Sequence, residues 1–277
     1  MNYRHAFHAG NFADVIKHIA LVAVLRHLRQ KDKPFCIIDT HAGAGIYDLE
    51  STEAARTGEA AAGIGRLLSL HDDPQLPDAL RAYLTLVKQE GEGRYPGSAR
   101  IATRLLRPQD RLVAIERHPV AAGTLHTSLS GIRNARVVEA DGYERLPALL
   151  PPHERRGVIL IDPPYEAENE FTRVGEALAA AHRRFATGIY VVWYPIKSRA
   201  AVDALYGEAS ASGIGQTLRV EVETDRVSSP ERERLAGAGL LIVNPPFGFD
   251  DRMRRIASVV APLLGRTNQK PATITVV

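Results

Sequence analysis

A short stretch that joins a buried strand to two consecutive prolines constrains this chain more than any other. Residues 158–161 are apolar and mostly β-branched, and Asp-Pro-Pro-Tyr follows them at 162–165. An apolar run of this length predicts a buried strand. The strand must end there, because proline fixes φ and removes a backbone donor. Since open α/β sheets bind ligands at the carboxyl ends of parallel strands, we expect Asp162 and Tyr165 to line a ligand site.

The Asp-Pro-Pro-Tyr turn suits one chemical task. The exocyclic amine of adenine is a poor nucleophile because its lone pair is delocalised into the ring. The carboxylate of Asp162 and the carbonyl of Pro163 can accept its two N–H bonds, and the aspartate can take the proton lost after attack. The ring of Tyr165 offers a flat face for a base removed from its stack. Taken alone, these four residues fit a proline-terminated strand with a buried tyrosine equally well.

Composition excludes several classes of protein. The 277 residues are 45% hydrophobic and 24% charged, as in ordinary soluble globular proteins. The single cysteine, Cys36, allows no disulfide within the chain, which fits a reducing cytoplasm. The longest early apolar run, residues 19–25, is too short to cross a bilayer. We therefore expect a cytoplasmic protein with neither a signal peptide nor a membrane anchor.

The positive charge of the chain is concentrated at its beginning. The formal net charge is +3, and residues 1–33 hold six lysines and arginines against two aspartates. A basic end on a nearly neutral body predicts a polyanionic partner, although a solvated helix face explains the same charges. Residues 1–10 should form an irregular arm, and Asn11 should cap a helix that extends to about residue 30.

A glycine-rich segment follows the first predicted strand. The strand covers residues 35–39, and Thr-His-Ala-Gly-Ala-Gly occupies 40–45. Glycines allow a close approach of the backbone to a ligand, but the G-x-G-x-x-G spacing of dinucleotide-binding loops is not met. The loop, with Gly43 at its centre, better suits a nucleoside or S-adenosylmethionine pocket. A glycine turn without a ligand is the simpler alternative.

Residues 48–107 interrupt the alternation of strands and helices. We predict a helix over 54–70, a second helix around 76–87, a loop at 91–97 and a third helix that Ser98 caps. This segment is longer than an ordinary connection. We therefore predict a small helical insertion subdomain at 48–107 within a main domain formed by 1–47 and 108–277.

The remaining strands predict a mainly parallel, doubly wound sheet. They cover residues 111–116, 136–141, 157–162, 188–195, 219–223 and 239–244. Acidic residues end the first four strands: Asp39, Glu116, Asp141 and Asp162. An acid after the second strand can accept both ribose hydroxyls of a cofactor, and one after the third can accept from an adenine amine. Four acids in this order favour a methyltransferase.

A second turn of similar sequence, Asn-Pro-Pro-Phe, lies at 244–247. In the methyltransferase version of this sheet the last strand is antiparallel, so its end lies on the edge opposite the cofactor. We therefore assign the chemistry to Asp162 and a structural role to Asn244.

Several segments together resemble one family, the bacterial large-subunit ribosomal RNA adenine-N6 methyltransferases of type J. The resemblance runs from residue 3 to at least residue 247 and rests on residues 3–18, 39–45, 95–98, 162–166 and 193–197. It is most specific at 3–18. Two departures, Phe12 and Phe247, do not involve the proposed chemistry. The resemblance implies an α/β, Rossmann-like fold with a seven-stranded sheet, mainly parallel but with an antiparallel last strand.

The resemblance also implies a reaction. S-adenosyl-L-methionine would donate a methyl group to one adenine of 23S rRNA, either deproteinised or in an early assembly intermediate, with S-adenosylhomocysteine as product and no metal. The target base would be flipped onto the Asp162 turn, with Asp162, Pro163 and Tyr165 catalytic. We expect a monomer. The resemblance implies cofactor contacts from His18, His41, Ser98, Glu116, Asp141, Gly142 and Asp162. We add Gly43, which lies in the predicted glycine loop.

The basic N-terminal segment is expected to meet the RNA through Tyr3, Arg4 and His5. Lys17 could bind an RNA phosphate or extend from a buried helix edge to solvent, and the sequence does not decide between the two.

Three alternatives stay open at this point. A DNA adenine methyltransferase would use the same turn, but no separate target-recognition domain is evident. A protein-glutamine methyltransferase would usually have Asn first in the turn. A non-catalytic, S-adenosylmethionine-sensing RNA-binding protein would bind the cofactor without turnover. A dehydrogenase is disfavoured by the glycine spacing.

Overall fold

The computed structural model describes residues 5–224, 237–264 and 273–277, and in them a large sheet carries helices on both faces. The strands are β1 Cys36–Asp39, β2 Ile46–Asp48, β3 Arg94–Pro96, β4 Arg111–Glu116, β5 Ala135–Glu139, β6 Gly157–Ile161, β7 Ile189–Pro195, β8 Thr217–Glu223, β9 Gly237–Val243 and β10 Thr273–Val276. The helices are α1 Phe12–Leu28, α2 Thr52–Thr57, α3 Glu59–Ala62, α4 Ile64–Leu67, α5 Asp78–Lys88, α6 Ser98–Leu105, α7 Pro119–Ser128, α8 Gly142–Arg145, α9 Glu170–Arg184, α10 Arg199–Ala211 and α11 Phe249–Val260.

The order of the strands confirms the predicted fold class. The sheet runs β5-β4-β1-β6-β7-β9-β8-β10. The first five strands are parallel, and β9 is antiparallel to both β7 and β8. Seven strands were predicted, and β10 adds an eighth that pairs antiparallel with the edge of β8. Four residues are too few to show a period that sequence reasoning could use.

Side chains alternate between the two faces of the sheet, as a period of two requires. Ile37 and Val158 face the helices α1, α5, α6 and α11, whereas Ile38 and Ile159 face α9 and α10. Both faces are therefore covered, and the central parallel strands β1 and β6 are buried along their whole length, whereas the edge strand β5 is partly exposed.

Asn11 caps helix α1 as predicted, and the helix begins at the next residue, Phe12. The side-chain oxygen of Asn11 accepts hydrogen bonds from the backbone N–H groups of Ala13 and Asp14, at 2.9 and 3.0 Å. The helix then lies buried almost all round, including the polar residues Lys17 and His18. Because burying such groups is unfavourable unless they are hydrogen-bonded, their partners decide what they do.

The insertion differs from its prediction in detail. The single helix expected over 54–70 is wrong, because Gly58 and Gly63 divide the segment into α2, α3 and α4. A Cβ at Gly63 would collide with the backbone carbonyl of Gly10, so the glycine allows this close approach. Part of the predicted loop at 91–97 is the strand β3, which pairs with β2. Helix α5 packs in the same apolar cluster as α1, and the domain limits at 48 and 107 stay a prediction.

The antiparallel direction of β9 settles where the second proline turn lies. Val243, at the end of β9, pairs with Tyr190 near the start of β7 and with Thr217 at the start of β8. Asn244 is therefore at the amino edge of the parallel strands. Its side-chain amide donates to the carbonyls of Ala186 and Gly188, at 2.8 and 2.7 Å. These bonds give it the predicted structural role.

Across the three described ranges, none of the helices has both the length and the apolar character that a membrane span needs.

Candidate active site

A cleft of about 1480 Å³ opens at the carboxyl ends of the parallel strands. The structure brings to it every predicted site residue that lies in the described part of the chain. These are His5, Lys17, His18, His41, Gly43, Ser98, Glu116, Asp141, Gly142, Asp162, Pro163 and Tyr165. Tyr3 and Arg4, the other two predicted RNA contacts, lie outside the described residues.

The glycine loop after β1 is fixed in position by a hydrogen bond to Glu116, at the end of β4. The two carboxylate oxygens of Glu116 accept the backbone N–H groups of Gly43 and His118, each at 2.8 Å. Gly43 has φ +63°, and a Cβ on it would collide with the hydroxyl of Tyr47. A carboxylate has about four acceptor positions. Glu116 can thus accept hydroxyl groups from a ligand while it keeps the loop in place.

Asp39, the last residue of β1, is almost completely buried and joins two segments of the cleft. It accepts the hydroxyl of Ser98 at 2.6 Å and the backbone N–H of His41 at 3.3 Å. Burial raises the pKa of Asp39 to about 7, helped by the nearby charge of Asp162 and opposed by the hydrogen bond from Ser98. The prediction that Ser98 caps α6 is wrong: Gly97 stands at that position, and the Ser98 hydroxyl is used by Asp39.

A third cluster surrounds Asp141, which caps the short helix α8. Its carboxylate accepts from the backbone N–H of Tyr143 at 2.9 Å and lies 3.2 Å from Arg117 and 3.4 Å from Arg173. His41 meets the ring of Tyr143 edge-on, with the ring centroids 5.0 Å apart. Burial lowers the pKa of His41 to about 4, so the imidazole is neutral at pH 7.

The carboxylate of Asp162 is paired with a lysine from α1. The ammonium of Lys17 lies 2.5 Å from Oδ2 of Asp162 and 2.7 Å from Oδ1 of Asp14. Burial lowers the pKa of Lys17, but the two carboxylates outweigh burial and the net pKa is raised. Asp14 also accepts from His5 at 2.9 Å and from the backbone N–H of Gly10 at 3.0 Å. The Oδ1 atom of Asp162 has no protein partner among the described residues, so it is available to a substrate.

The position of Lys17 differs from both interpretations that the sequence left open. Its side chain is only 5% exposed and its ammonium is already bonded to two carboxylates. It is therefore neither extended to solvent nor presented to an RNA phosphate. Sequence reasoning placed Lys17 at a buried helix edge but had no signal for its partner, which lies 145 residues further along the chain.

The ring of Tyr165 is positioned by its backbone conformation and by two aromatic neighbours. It has φ +51°, which is uncommon for a residue with a side chain. Its hydroxyl donates to the backbone carbonyl of Trp193 at 2.9 Å, and its ring lies 4.8 Å from that of Phe171 and 5.5 Å from that of Trp193. Trp193 and Phe171 therefore hold the ring at the cleft, a role that the sequence did not predict for either of them.

Within the described ranges, no group of three or more histidine, cysteine or acidic side chains is arranged to bind a metal ion.

Two histidines of the cleft, the fully buried His18 and the half-buried His41, predict a pH dependence of stability. Burial lowers the pKa of His18 to about 3 and that of His41 to about 4, whereas the unfolded chain binds protons near pH 6.5. The unfolded state thus takes up more protons, and we expect the free energy of unfolding to decrease as the pH falls from 7 to 5. Asp39 opposes this, because its raised pKa adds a proton to the folded state.

The variant His41→Asn isolates one of these groups. The free energy of unfolding of this variant should change less steeply with pH than that of the wild type, by at most about 1.4 kcal/mol per pH unit. Urea unfolding at pH 5, 6 and 7 measures both slopes. Equal slopes for the two proteins would contradict a neutral His41 in the folded state.

Comparisons with known proteins agree with this geometry. A family model described as "Ribosomal RNA large subunit methyltransferase D, RlmJ" matches residues 32–274. A curated protein from Escherichia coli K12, "Ribosomal RNA large subunit methyltransferase J", is 42% identical over 260 residues, which cover 92% of this chain and 91% of that protein. Its namesake from Haemophilus influenzae Rd is 40% identical over 261 residues, with the same coverage. A crystal structure of a Legionella pneumophila protein superimposes with a TM-score of 0.88 at 34% identity, over 98% of both chains.

Proposed function

The chain belongs to the ribosomal RNA large subunit methyltransferase J family and is a ribosomal RNA methyltransferase, and on that premise we propose that it methylates the N6 nitrogen of one adenine in 23S rRNA with S-adenosyl-L-methionine as donor. The observation that carries this proposal is the Asp162 turn. It lies in the cleft, at the carboxyl end of β6, with one carboxylate oxygen bonded to Lys17 and the other available.

The residues of the cleft fit the proposed donor. Glu116 keeps acceptor capacity for ribose hydroxyls. Asp141 would accept an adenine amine in place of Arg117 or Arg173, which now contact its Oδ2 atom. His18, His41, Ser98 and Gly142 complete the set, and a Cβ at Gly142 would collide with the carbonyl of Thr40. When bound, S-adenosylmethionine supplies a methyl group already activated by a sulfonium, and S-adenosylhomocysteine is the product.

Asp162 and Pro163 would orient the amine that attacks. Oδ1 of Asp162 and the carbonyl of Pro163 accept its two N–H bonds, which favours a more pyramidal and more nucleophilic nitrogen. The N–C bond would form as the S–CH₃ bond of the sulfonium breaks, and the proton lost from the nitrogen would pass to Asp162. Lys17 keeps Oδ2 occupied and so decides which oxygen faces the substrate. Most of the rate acceleration would come from holding the two reactants in line.

The base must leave its stack to reach this turn. We infer that it flips onto the ring of Tyr165, which Trp193 and Phe171 hold at the cleft. The RNA would be met by the basic N-terminal segment, with His5 already linked to Asp14 at 2.9 Å. We propose free 23S rRNA or an early assembly intermediate as the form of the substrate, a cytoplasmic location and a monomeric enzyme.

The test is to incubate the purified protein with S-adenosylmethionine and unmodified, deproteinised 23S rRNA, and then to digest the RNA and quantify N6-methyladenosine by mass spectrometry. We expect a gain of one N6-methyladenosine per 23S molecule and none on double-stranded DNA or on a protein acceptor. A gain on DNA alone, or a methyl group at another atom of the RNA, would contradict the proposal.

A further inference from the structure

Three buried polar side chains form a hydrogen-bonded row that runs from the insertion to the cleft. Nδ1 of His18 lies 2.7 Å from the hydroxyl of Tyr95, and that hydroxyl lies 3.0 Å from the hydroxyl of Tyr83. Their relative exposures are 1%, 0% and 0%. His18 belongs to α1, Tyr95 to β3 and Tyr83 to α5, so two of the three members come from the helical insertion.

Tyr83, at the end of the row, determines which group donates each hydrogen bond. Each tyrosine hydroxyl carries one proton, and Tyr83 has no hydrogen-bond partner other than Tyr95 in the described part of the chain. If Tyr95 donated to Tyr83, the proton of Tyr83 would be buried without an acceptor, which is unfavourable. Tyr83 must therefore donate to Tyr95. The single proton of Tyr95 is then left for Nδ1 of His18.

This direction assigns the tautomer of His18. Nδ1 accepts, so a neutral ring carries its proton on Nε2. Burial lowers the pKa of His18 to about 3, which agrees with a neutral ring at pH 7. Nε2 has no hydrogen-bond partner among the described residues, and His18 lines the cleft. The ring thus offers the cleft one N–H donor and no acceptor.

We propose that Tyr95 and Tyr83 are positioning residues that hold His18 in its Nε2–H tautomer, so that it donates a hydrogen bond to an acceptor on the cofactor, of which the carboxylate is the strongest. This inference rests on the proposed use of S-adenosylmethionine. It also gives the insertion a role, because its strand β3 and helix α5 supply the residues that orient a cofactor contact. Glu116 and Asp141 would then accept hydrogen bonds from the cofactor, and His18 would donate one to it.

The tautomer can be measured directly by ¹⁵N NMR of the imidazole nitrogens in the wild-type protein, with His18→Gln to assign the signals. We expect a protonated Nε2 and an unprotonated Nδ1 at pH 7 in the absence of any ligand. A protonated Nδ1 would overturn the proposal. This measurement needs no cofactor, so it remains informative even if the proposed function fails.

Two variants test the consequence for binding. Tyr95→Phe removes the donor to Nδ1, and we expect the tautomers to mix and the affinity for S-adenosylhomocysteine, measured by calorimetry, to fall by about tenfold. Tyr83→Phe leaves Tyr95 with its proton, so a fall of about threefold or less is expected. Tyr206→Phe is the matched control. It removes one hydroxyl from another tyrosine pair, in which the hydroxyls of Tyr194 and Tyr206 lie 3.2 Å apart on the opposite face of the sheet.

The outcomes separate the two proposals. An unchanged tautomer and unchanged affinity in Tyr95→Phe would overturn the positioning role. A larger loss of affinity in Tyr83→Phe than in Tyr95→Phe would overturn the direction of the row. If the wild type bound no S-adenosylhomocysteine while showing the Nε2–H tautomer, the proposed function would fail and the assignment of the tautomer would stand.

Discussion

Replacement of Asp162 by asparagine is expected to lower kcat for rRNA methylation by about a hundredfold or more, because the residue that accepts the proton from the amine is lost. Asparagine keeps the shape of the side chain. Its amide oxygen should turn toward the ammonium of Lys17, which leaves an NH₂ group facing the NH₂ group of the substrate. Two donors would then meet where a donor and an acceptor are required. Single-turnover methylation of 23S rRNA measures the effect.

The matched control is Asp203→Asn, a change of the same chemistry at an exposed position on helix α10. It should leave the rate unchanged. RNA binding by Asp162→Asn should stay close to that of the wild type, and its melting temperature should fall less than that of Lys17→Met, because Lys17 keeps its pair with Asp14 at 2.7 Å. An Asp162→Asn enzyme with a rate within threefold of the wild type would contradict the assignment of Asp162 as the catalytic residue.

Lys17→Met is the second change with a large expected effect. It removes the cation between Asp14 and Asp162, whose side chains are 3% and 15% exposed. A buried ion pair that loses one partner leaves an uncompensated charge, so we expect a loss of about 3 kcal/mol in the free energy of unfolding. We also expect kcat to fall by about a hundredfold, because Asp162 would lose the bond that orients its carboxylate. Urea unfolding and single-turnover kinetics measure the two effects.

A double variant separates stability from catalysis. In Asp14→Asn combined with Lys17→Met, the carboxylate of Asp14, which has lost Lys17 but keeps His5 and the N–H of Gly10, is replaced by a neutral amide, so part of the lost stability should return. The rate should not return, because Asp162 still lacks its partner. If the rate recovered together with the stability, Lys17 would act only through the fold and the proposed orientation of Asp162 would be wrong.

Membership of the family decides one of the alternatives that the sequence left open. Membership of the family makes the chain an rRNA methyltransferase, so the interpretation as a cofactor-sensing protein without turnover is excluded. The choice of adenine, of its N6 nitrogen and of base flipping remains a proposal, which the mass-spectrometric assay addresses directly.

Local sequence patterns were sufficient for the parallel strands of the sheet and for the position of the cleft, but not for β3, β10 or the division of residues 54–70 into short helices. Runs of β-branched residues predict strands. Side chains such as that of Asn11, which accept from nearby backbone N–H groups, predict where helices begin. Acids at strand ends, such as Glu116 and Asp162, could be placed at one edge because parallel strands share a direction. Such signals depend on neighbours within a few residues, and the sequence displays them directly.

The partners of the polar residues in the cleft were decided only by the tertiary structure. Lys17 meets Asp162 across 145 residues, Asp39 meets Ser98 across 59, and His18 meets Tyr95 across 77. Each of these pairs depends on how α1 and the insertion pack beside the sheet, to within about an ångström, and no periodicity or cap encodes that distance. By itself the sequence determined which residues reach the edge of the sheet. Packing decided which of them bond to one another, because a hydrogen bond forms only over a narrow range of distance and angle.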